Sequence, residues 1–409
     1  MRSPRFILIV VIIAVLIDFY VFQAIKAITQ GMTPRWRMIL YGLHWGLSML
    51  ALAALVAGPF LHFQNSRINN YLFAIVLGFY IAKLVAAVFL LIDDIRRFIQ
   101  WAVTRATAPA GSTGEPISRS NFLNWVGVGL GTTVYASLLY GFSNKYSYKI
   151  HRVRLSFDNL PPAFKGLKIV QLSDIHSGSL ANPSAVARGV DMVLAEKPDI
   201  ILFTGDLVND AAFEMDDYQH IFSRLTAPMG VYSTLGNHDY GDYMWWETPE
   251  LKKANLDRLK QIEQQMGWRL LMNEHVALER GGQQIALIGI ENWSAKARFP
   301  KYGRMDLAWP GVEKYPFKIL MSHDPSHWDA EVKPHYPGVD LMLAGHTHGM
   351  QFGVELPGFK WSPVQYVYKQ WAGLYEEGRQ KLYVNRGFGF IGYPGRVGVL
   401  PEITVIELV

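Results

Sequence analysis

Four long apolar runs, residues 6–25, 38–61, 71–92 and 122–142, constrain this chain more than anything else in it. Each is close to the roughly 20 residues that an α-helix needs to cross a bilayer. In hydrocarbon every backbone N–H and C=O has to be satisfied within the segment, so such runs are helical. They predict an N-terminal helical membrane domain over residues 1–145 with about four transmembrane helices. A cleaved signal peptide would explain the first run alone, but that run is long and three more follow. Asp18 and Lys83 are the only Asp, Glu, Lys or Arg side chains deep in the spans, each twelve residues past the start of its run. Spans one and three point the same way, so both charges lie at about 18 Å depth by the helical rise. An unpaired charge there is expensive. The two are expected to contact each other, with a proton or ion path as the functional alternative.

Between the spans, "QNSRINN" (64–70) reads as a short polar turn, and residues 93–120, containing "TAPAGSTGEP", read as a longer mobile connection. Positive charges favour the cytoplasmic side. Arg2, Arg5, Arg67, Lys145, Lys149, Arg152 and Arg154 fall on one side, and Lys26, Arg35, Arg37, Arg96, Arg97, Arg105 and Arg119 on the other. Four of the first set begin a large folded domain; without them the count is three against seven, which places that domain outside the cytoplasm. "SRSNFLNW" (118–125) also resembles a degraded twin-arginine export signal, with Ser120 where the second Arg would stand. The expected location is a bacterial cell membrane with the following domain extracytoplasmic. The net charge of +5 is diffuse, with no basic run or basic-aromatic repeat, so no nucleic-acid partner is expected. Membrane lipids, anionic ones included, are the more natural partner. Cysteine is absent, which removes disulfides, thiolate ligands and a cysteine nucleophile.

From about residue 150 the pattern changes to short β-branched runs that end in Gly, Asp, Asn or His: "LKIVQLSDIH", "DIILFTGDLV", "GVYSTLGNHD", "IALIGIEN", "FKILMSHD" and "DLMLAGHTH". Each reads as a buried strand that delivers polar residues from its C-terminal end. Between the first two, "NPSAVARGVDMVLAEKP" offers Asn182 as N-cap, Pro183 at the first helical position and Pro198 as a stop. Strand, helix, strand is a βαβ unit, and residues 150–409 are expected to form a layered α/β domain with its site along one sheet edge.

In chain order the strand ends supply Asp174 and His176, Asp206, Asn237 with His238 and Asp239, His323, then His346 and His348. The last pair would face one object if the backbone stays extended through Thr347. Any one of these residues has an ordinary explanation as a turn or cap. Six strand ends repeating the same chemistry do not. Oxygen and imidazole ligands without sulfur suit Mn, Fe or Zn, and one carboxylate can bridge two such ions.

The set D-x-H, G-D, G-N-H-D, a lone H and G-H-T-H resembles the calcineurin-like metallophosphoesterase superfamily, with all five blocks in that family's order over residues 150–409. "LPPAFKGLKIVQLSDIH" and "PEITVIEL" look most like bacterial membrane-attached phosphodiesterases that include cell-wall-associated members. The resemblance implies a four-layer αββα sandwich holding two divalent metal ions. By matching motif position, Asp174, His176, Asp206 and His348 would bind one ion, and Asp206, Asn237, His323 and His346 the other, with Asp206 shared. His238 would stand beside the leaving group, with Asp239 as its orienting partner. Two cations about 3.5–4 Å apart polarise a phosphoryl oxygen and lower the pKa of a shared water, so that hydroxide attacks phosphorus directly. Ser173 and Ser322 lie beside ligands but lack a recognisable base and oxyanion hole, and read as loop hydrogen-bonders. Two positions depart from the family: an acid often falls three residues after the bridging Asp, where this chain has Asn209 and then Asp210, and Met350 stands where a second glycine is common.

After the GNHD block comes "YGDYMWWETP" (240–249), crowding Tyr240, Tyr243, Trp245 and Trp246 on one loop. They either pack beneath it or form an interfacial patch that admits a lipid-linked phosphoester from the bilayer. The expected function is a membrane-anchored dimetal phosphoesterase acting on a phosphodiester or phosphomonoester. A transporter or sensor with a regulatory metal domain, or a non-catalytic metal scaffold, would have no need of His238 and Asp239.

Overall fold

The computed structural model describes residues 4–57, 66–107 and 117–409. The chain divides into two compact units, Met1–Tyr140 and Gly141–Val409. The first is built from α1 (Pro4–Ile28), α2 (Pro34–Ala57), α3 (Ser66–Thr107) and α4 (Asn121–Asn144), whose last turn belongs to the second unit. All four are long and apolar enough to cross a membrane. Their outward faces carry exposed Leu16, Leu50, Leu91 and Phe122, as lipid-facing helices do.

Two expectations are corrected here. Ser66–Asn70 is the first turn of α3, and the same helix runs on to Thr107, so residues 93–107 are helix and not loop. No Gly or Pro interrupts Asp93–Thr107, and Asp93–Arg96 and Asp94–Arg97 pair at i,i+3 along it. The "TAPAGSTGEP" segment beyond Thr107 lies outside the described residues.

Asp18 and Lys83 do meet. The Lys83 ammonium donates to Asp18 Oδ1 and, at 2.6 Å, to Ser48 Oγ. Tyr80 donates to Asp18 Oδ2 at 3.3 Å, so α1, α2 and α3 each contribute to one buried polar knot. Removing one member of a buried pair strands the other, at a cost of roughly 3–5 kcal/mol. Asp18→Ala and Lys83→Ala should each lose that much in denaturation of the detergent-solubilised protein, and the double swap Asp18→Lys, Lys83→Asp should recover a good part. A swap no better than either alanine variant would show that the pairing contributes little.

The second unit contains β1 (Lys149–Leu155), β2 (Lys168–Leu172), β3 (Ile200–Phe203), β4 (Val231–Ser233), β5 (Trp268–Leu270), β6 (Glu274–Arg280), β7 (Gln283–Gly289), β8 (Lys318–Met321), β9 (Leu341–Ala344), β10 (Val354–Leu356), β11 (Phe359–Trp361), β12 (Gly373–Glu377), β13 (Gln380–Val384) and β14 (Glu402–Leu408). Twelve of these form two six-stranded mixed sheets, in the orders β1-β14-β2-β3-β4-β5 and β12-β13-β9-β8-β7-β6; β10 and β11 make a separate hairpin. Alternation with period 2 explains the continuous apolar runs, because both faces of each sheet are covered. Ile169, Ile200 and Leu202 of the first sheet meet Leu287, Ile319 and Leu341 of the second in one core. Val170, Ile201 and Phe203, one residue along, pack outward onto Val186, Val190, Leu259 and Ile262. Those side chains come from α5 (Pro183–Ala195) and from α7 (Pro249–Gln265), between which lies the short α6 (Gln219–Phe222). Leu320 and Met342 pack outward from the second sheet onto Met305, Trp328 and Val332. The result is the four-layer αββα order. Helix α5 starts as its sequence predicts: the Asn182 side chain accepts from Ala185 N, with Pro183 at the first position.

Glu263 on α7 is completely buried and accepts from the Ser233 hydroxyl. Burial pushes its carboxyl from 4.5 up to about 8. Below pH 4.5 both folded and unfolded chains hold the proton. Between there and about pH 8 only the folded chain does, so its stability falls as pH rises through that window. Glu263→Gln should remove this slope, gaining roughly 3 kcal/mol at pH 7 and little at pH 4.5. Denaturation midpoints of the two proteins across that range test it, and a pH-independent difference would refute the assignment.

Candidate metal centre

Parallel neighbours β2, β3 and β4 end side by side, and so do β8 and β9. The first three deliver Asp174, His176, Asp206, Asn237 and His238; the other two deliver His323, His346 and His348. The candidate residues therefore converge where the C-terminal edges of two sheets meet. The backbone bends sharply to aim them. Asp174, His176, Asp206, His346 and His348 all have positive φ, from 49° to 70°, in the left-handed region that costs a non-glycine residue about 1–2 kcal/mol. The extended H-T-H geometry expected from sequence is thus corrected: Thr347 is helical, with φ −78°, between two left-handed histidines. Glycines make room for the bends. A Cβ on Gly345 would overlap Ser173 Oγ and the Asp174 carboxylate, and one on Gly236 would overlap Asp206.

Two groups result, Asp174 with His176 and His348, and Asp206 with His323 and His346. The paired histidines split between them. His348 Nε2 lies 3.1 Å from Asp174 Oδ1 and 3.0 Å from His176 Nε2. His323 Nε2 lies 3.1 Å from Asp206 Oδ2 and 3.3 Å from His346 Nδ1. Asp206 Oδ2 is also 3.5 Å from His176 Nε2, which puts it between the groups. Asn237 Oδ1 is buried with no hydrogen-bond partner among the described residues. Imidazole nitrogens facing each other across carboxylates, beside an orphaned amide oxygen, are a donor set that fits cations.

Neighbouring groups fix which nitrogen is free. His323 Nδ1 donates to the Thr204 carbonyl at 2.7 Å, leaving Nε2 its lone pair. His346 Nε2 lies 2.8 Å from the Tyr368 hydroxyl, which donates onward to Asp324 Oδ2 at 3.1 Å, so Nδ1 is the free atom. Burial alone would lower His323, but the adjacent Asp206 carboxylate overrides it and raises the imidazole to about 10. Burial would raise Asp174 and Asp206, yet the histidines around them hold both well below the usual carboxylate range. A cation would take over the role that the His323 imidazolium charge plays.

His238 is half-buried, its ring 5.0 Å from that of His176 and 4.7 Å from that of Tyr243. Asp239 does not orient it, contrary to expectation. The Asp239 carboxylate accepts from the backbone N–H of Asp206, Leu207, Val208 and Gly236 at 2.8–3.2 Å. It therefore ties together the two turns that carry Asp206 and Asn237. Burial and the nearby Asp206 push it up to about 7. The partner of His238 is the Asn209 carbonyl, 2.6 Å from Nδ1. Asn209 thus touches the site through its backbone, while its side chain bonds Ser179. Met350 sits left-handed at φ 55°, where glycine would be unstrained. Ser322 bonds His327 Nδ1 at 3.0 Å and is fully buried, so it braces the loop. The aromatic loop divides: Tyr240 is buried against Glu291 and Trp246 bonds the Gly241 carbonyl, whereas Trp245 is 80% exposed.

Sequence reasoning missed Arg396. This guanidinium is fully buried, binds the carbonyls of His348, Arg386, Gly387 and Gly389, and lies 3.2 Å from His348 Nδ1. Burial lowers it to about 9. It missed Tyr368 as well.

Residues 2–145 match the family model for a probable calcineurin-like phosphoesterase transmembrane domain, and residues 167–350 the model for calcineurin-like phosphoesterase. Over 268 residues the chain is 31% identical to the metallophosphoesterase YkuE of Bacillus subtilis, covering 63% of this chain and 84% of that one. It is 28% identical over 303 residues to the phosphodiesterase YaeI of Escherichia coli, covering 72% and 100%. It is also 28% identical over 314 residues to the UDP-2,3-diacylglucosamine pyrophosphatase LpxG of Chlamydia trachomatis, covering 63% and 90%. That family normally uses a dimetal centre, and the two His/Asp groups described above are of that kind. With its four helices long and apolar enough to span a membrane and this likeness across both units, the chain belongs to the calcineurin-like metallophosphoesterases and is a membrane-associated phosphoric ester hydrolase.

Proposed function

We propose that residues 1–145 anchor a hydrolase, residues 150–409, that cleaves a phosphodiester of a lipid-linked or cell-envelope substrate on the extracytoplasmic side of a bacterial membrane. The observation that carries this reading is the position of Asp206 Oδ2 between the two His/Asp groups, with the His238 ring beside them. Asp174, His176, Asp206 and His348 would hold one divalent ion, and Asp206, Asn237, His323 and His346 a second, each Mn, Fe or Zn. When bound, such ions polarise the phosphoryl group and activate water. His238, its Nδ1 proton on the Asn209 carbonyl, presents its other nitrogen to the leaving oxygen. Asp239 holds the turns in register. The likeness to a phosphodiesterase and to a pyrophosphatase named for a diacylated sugar nucleotide supports the substrate class, and exposed Trp245, two residues along the chain from Tyr243, would offer it an interfacial contact.

The test is activity of the purified full chain, stripped of metal and resupplied with Mn²⁺, Fe²⁺ or Zn²⁺, on soluble phosphodiesters, phosphomonoesters and lipid-linked phosphoesters in bilayers. Metal-dependent turnover highest on the lipid-linked diesters is expected. Preference for soluble monoesters would overturn the substrate reading.

A further inference from the structure

The hairpin β10–β11 has its polarity inverted. Its register pairs Val354 with Trp361, Glu355 with Lys360 and Leu356 with Phe359, so the apolar four share one face and the two charges the other. The two charged side chains make the hairpin's bonds to the domain, although Lys360 itself stays exposed. Glu355 accepts from Arg386 Nε at 2.8 Å, and Lys360 donates to the Ala372 carbonyl at 2.5 Å and to the Tyr375 hydroxyl at 3.0 Å. The apolar face is turned out, with Leu356 63% and Phe359 56% exposed. Met350 before the hairpin and Tyr366 and Val367 after it are more than half exposed too. Exposed apolar side chains gathered on one hairpin and its flanks are the kind of surface that marks an interaction site, and an isolated two-stranded ribbon needs support from elsewhere.

The hairpin's root lies beside the C-terminal end of a membrane-capable helix. Gly353 N donates to the Val397 carbonyl at 2.9 Å, and the adjacent Arg396 N donates to the Gly141 carbonyl, also at 2.9 Å. Gly141 opens the second unit and lies in the last turn of α4, a helix apolar and long enough to span a bilayer. The hairpin is therefore rooted one residue from the segment that grips the chain as it leaves a span. We propose that the face formed by Met350, Val354, Leu356, Phe359, Tyr366 and Val367 dips into the headgroup–acyl boundary of the bilayer that α1–α4 cross. Aromatic side chains suit that depth. One consequence rests on the proposed function: Tyr366 lies two residues from Tyr368, the partner of His346, so docking would bring the metal centre to lipid-linked phosphoesters at the membrane surface.

Because the chain has no cysteine, a single introduced thiol can be labelled uniquely. Leu356→Cys and Phe359→Cys, and as control Lys253→Cys on the exposed side of α7, would each carry an environment-sensitive nitrobenzoxadiazole dye. The full chain is then reconstituted into phosphatidylcholine–phosphatidylglycerol vesicles with and without brominated acyl chains. At a depth of about 5–10 Å, the dyes at 356 and 359 should shift to the blue and lose at least about half their emission in brominated vesicles, while the control does neither. Water-like emission without quenching would overturn the proposal. A blue shift without bromine quenching would overturn it too, because the face would then be covered by protein, such as a second copy. This readout needs no turnover: quenching at 356 in a protein inactive on lipid-linked esters would leave docking standing and remove the substrate reading.

Discussion

Asp206→Asn should abolish turnover and lower bound metal from the two ions per chain proposed above, because in that proposal one carboxylate would serve both groups. Its Oδ2 lies 3.1 Å from His323 and 3.5 Å from His176, while Oδ1 accepts from His238 N at 2.9 Å. An amide in its place offers one neutral oxygen in place of two charged ones. It also presents N–H groups to imidazoles that need an anion beside them. The loss should exceed the roughly 10–100-fold that removal of an outer-shell partner costs. His348→Ala, a change confined to the Asp174 group of the two, should weaken one site and leave the other filled. Metal analysis and kcat/KM on the same samples give the answer. If the Asp206 variant keeps both ions and full turnover, the shared-ligand assignment is wrong.

Much of this site was legible because chemistry recurs at strand ends. A buried strand in a four-layer domain is apolar on both faces, so the first polar residue after it marks where the strand leaves the core. Five such ends carrying Asp, Asn and His marked the site before any fold was known, although the single sheet edge expected for it is in fact the meeting of two sheets, β2, β3 and β4 in one and β8 and β9 in the other. The same reasoning paired Asp18 with Lys83 from depth alone. What stayed hidden were contacts made through backbone atoms or by isolated residues. The acceptor for His238 is the Asn209 carbonyl, and a carbonyl has no side-chain signature. Asp239 was matched to His238 by adjacency, yet its carboxylate satisfies four backbone N–H groups of the neighbouring turns, a role set by how β3 and β4 end side by side. Arg396 is a lone arginine beside a glycine and reveals nothing until the loops close on it. The end of α3 was misplaced for a different reason: charge after an apolar run reads as a linker, whereas i,i+3 pairs let the helix continue past the hydrocarbon.

His238→Asn should separate chemistry from scaffolding. In the proposed mechanism the imidazole protonates the oxygen that leaves phosphorus, a service worth roughly 10²–10⁴ in rate from a positioned histidine. An alkyl alkoxide needs that proton as the P–O bond breaks; nitrophenolate, already a stable anion near neutral pH, needs little help. Activity on alkyl or glycerol phosphodiesters should therefore fall by about that factor, and activity on a nitrophenyl ester far less. Metal content should hold, since His238 belongs to neither ligand group. Asp239→Asn should behave differently from a weakened His238→Asn. Its amide offers one acceptor oxygen to the four N–H groups that the carboxylate now serves, so the Asp206 turn shifts, and both ester types should suffer together with metal content. Measured side by side, kcat/KM for the two esters and metal stoichiometry distinguish a proton donor from a turn brace. A loss for His238→Asn that ignores the leaving group would take the acid role from it, and the hydroxyl of Tyr243, hydrogen-bonded to Asn237 Nδ2 at 3.0 Å, would become the next donor to test.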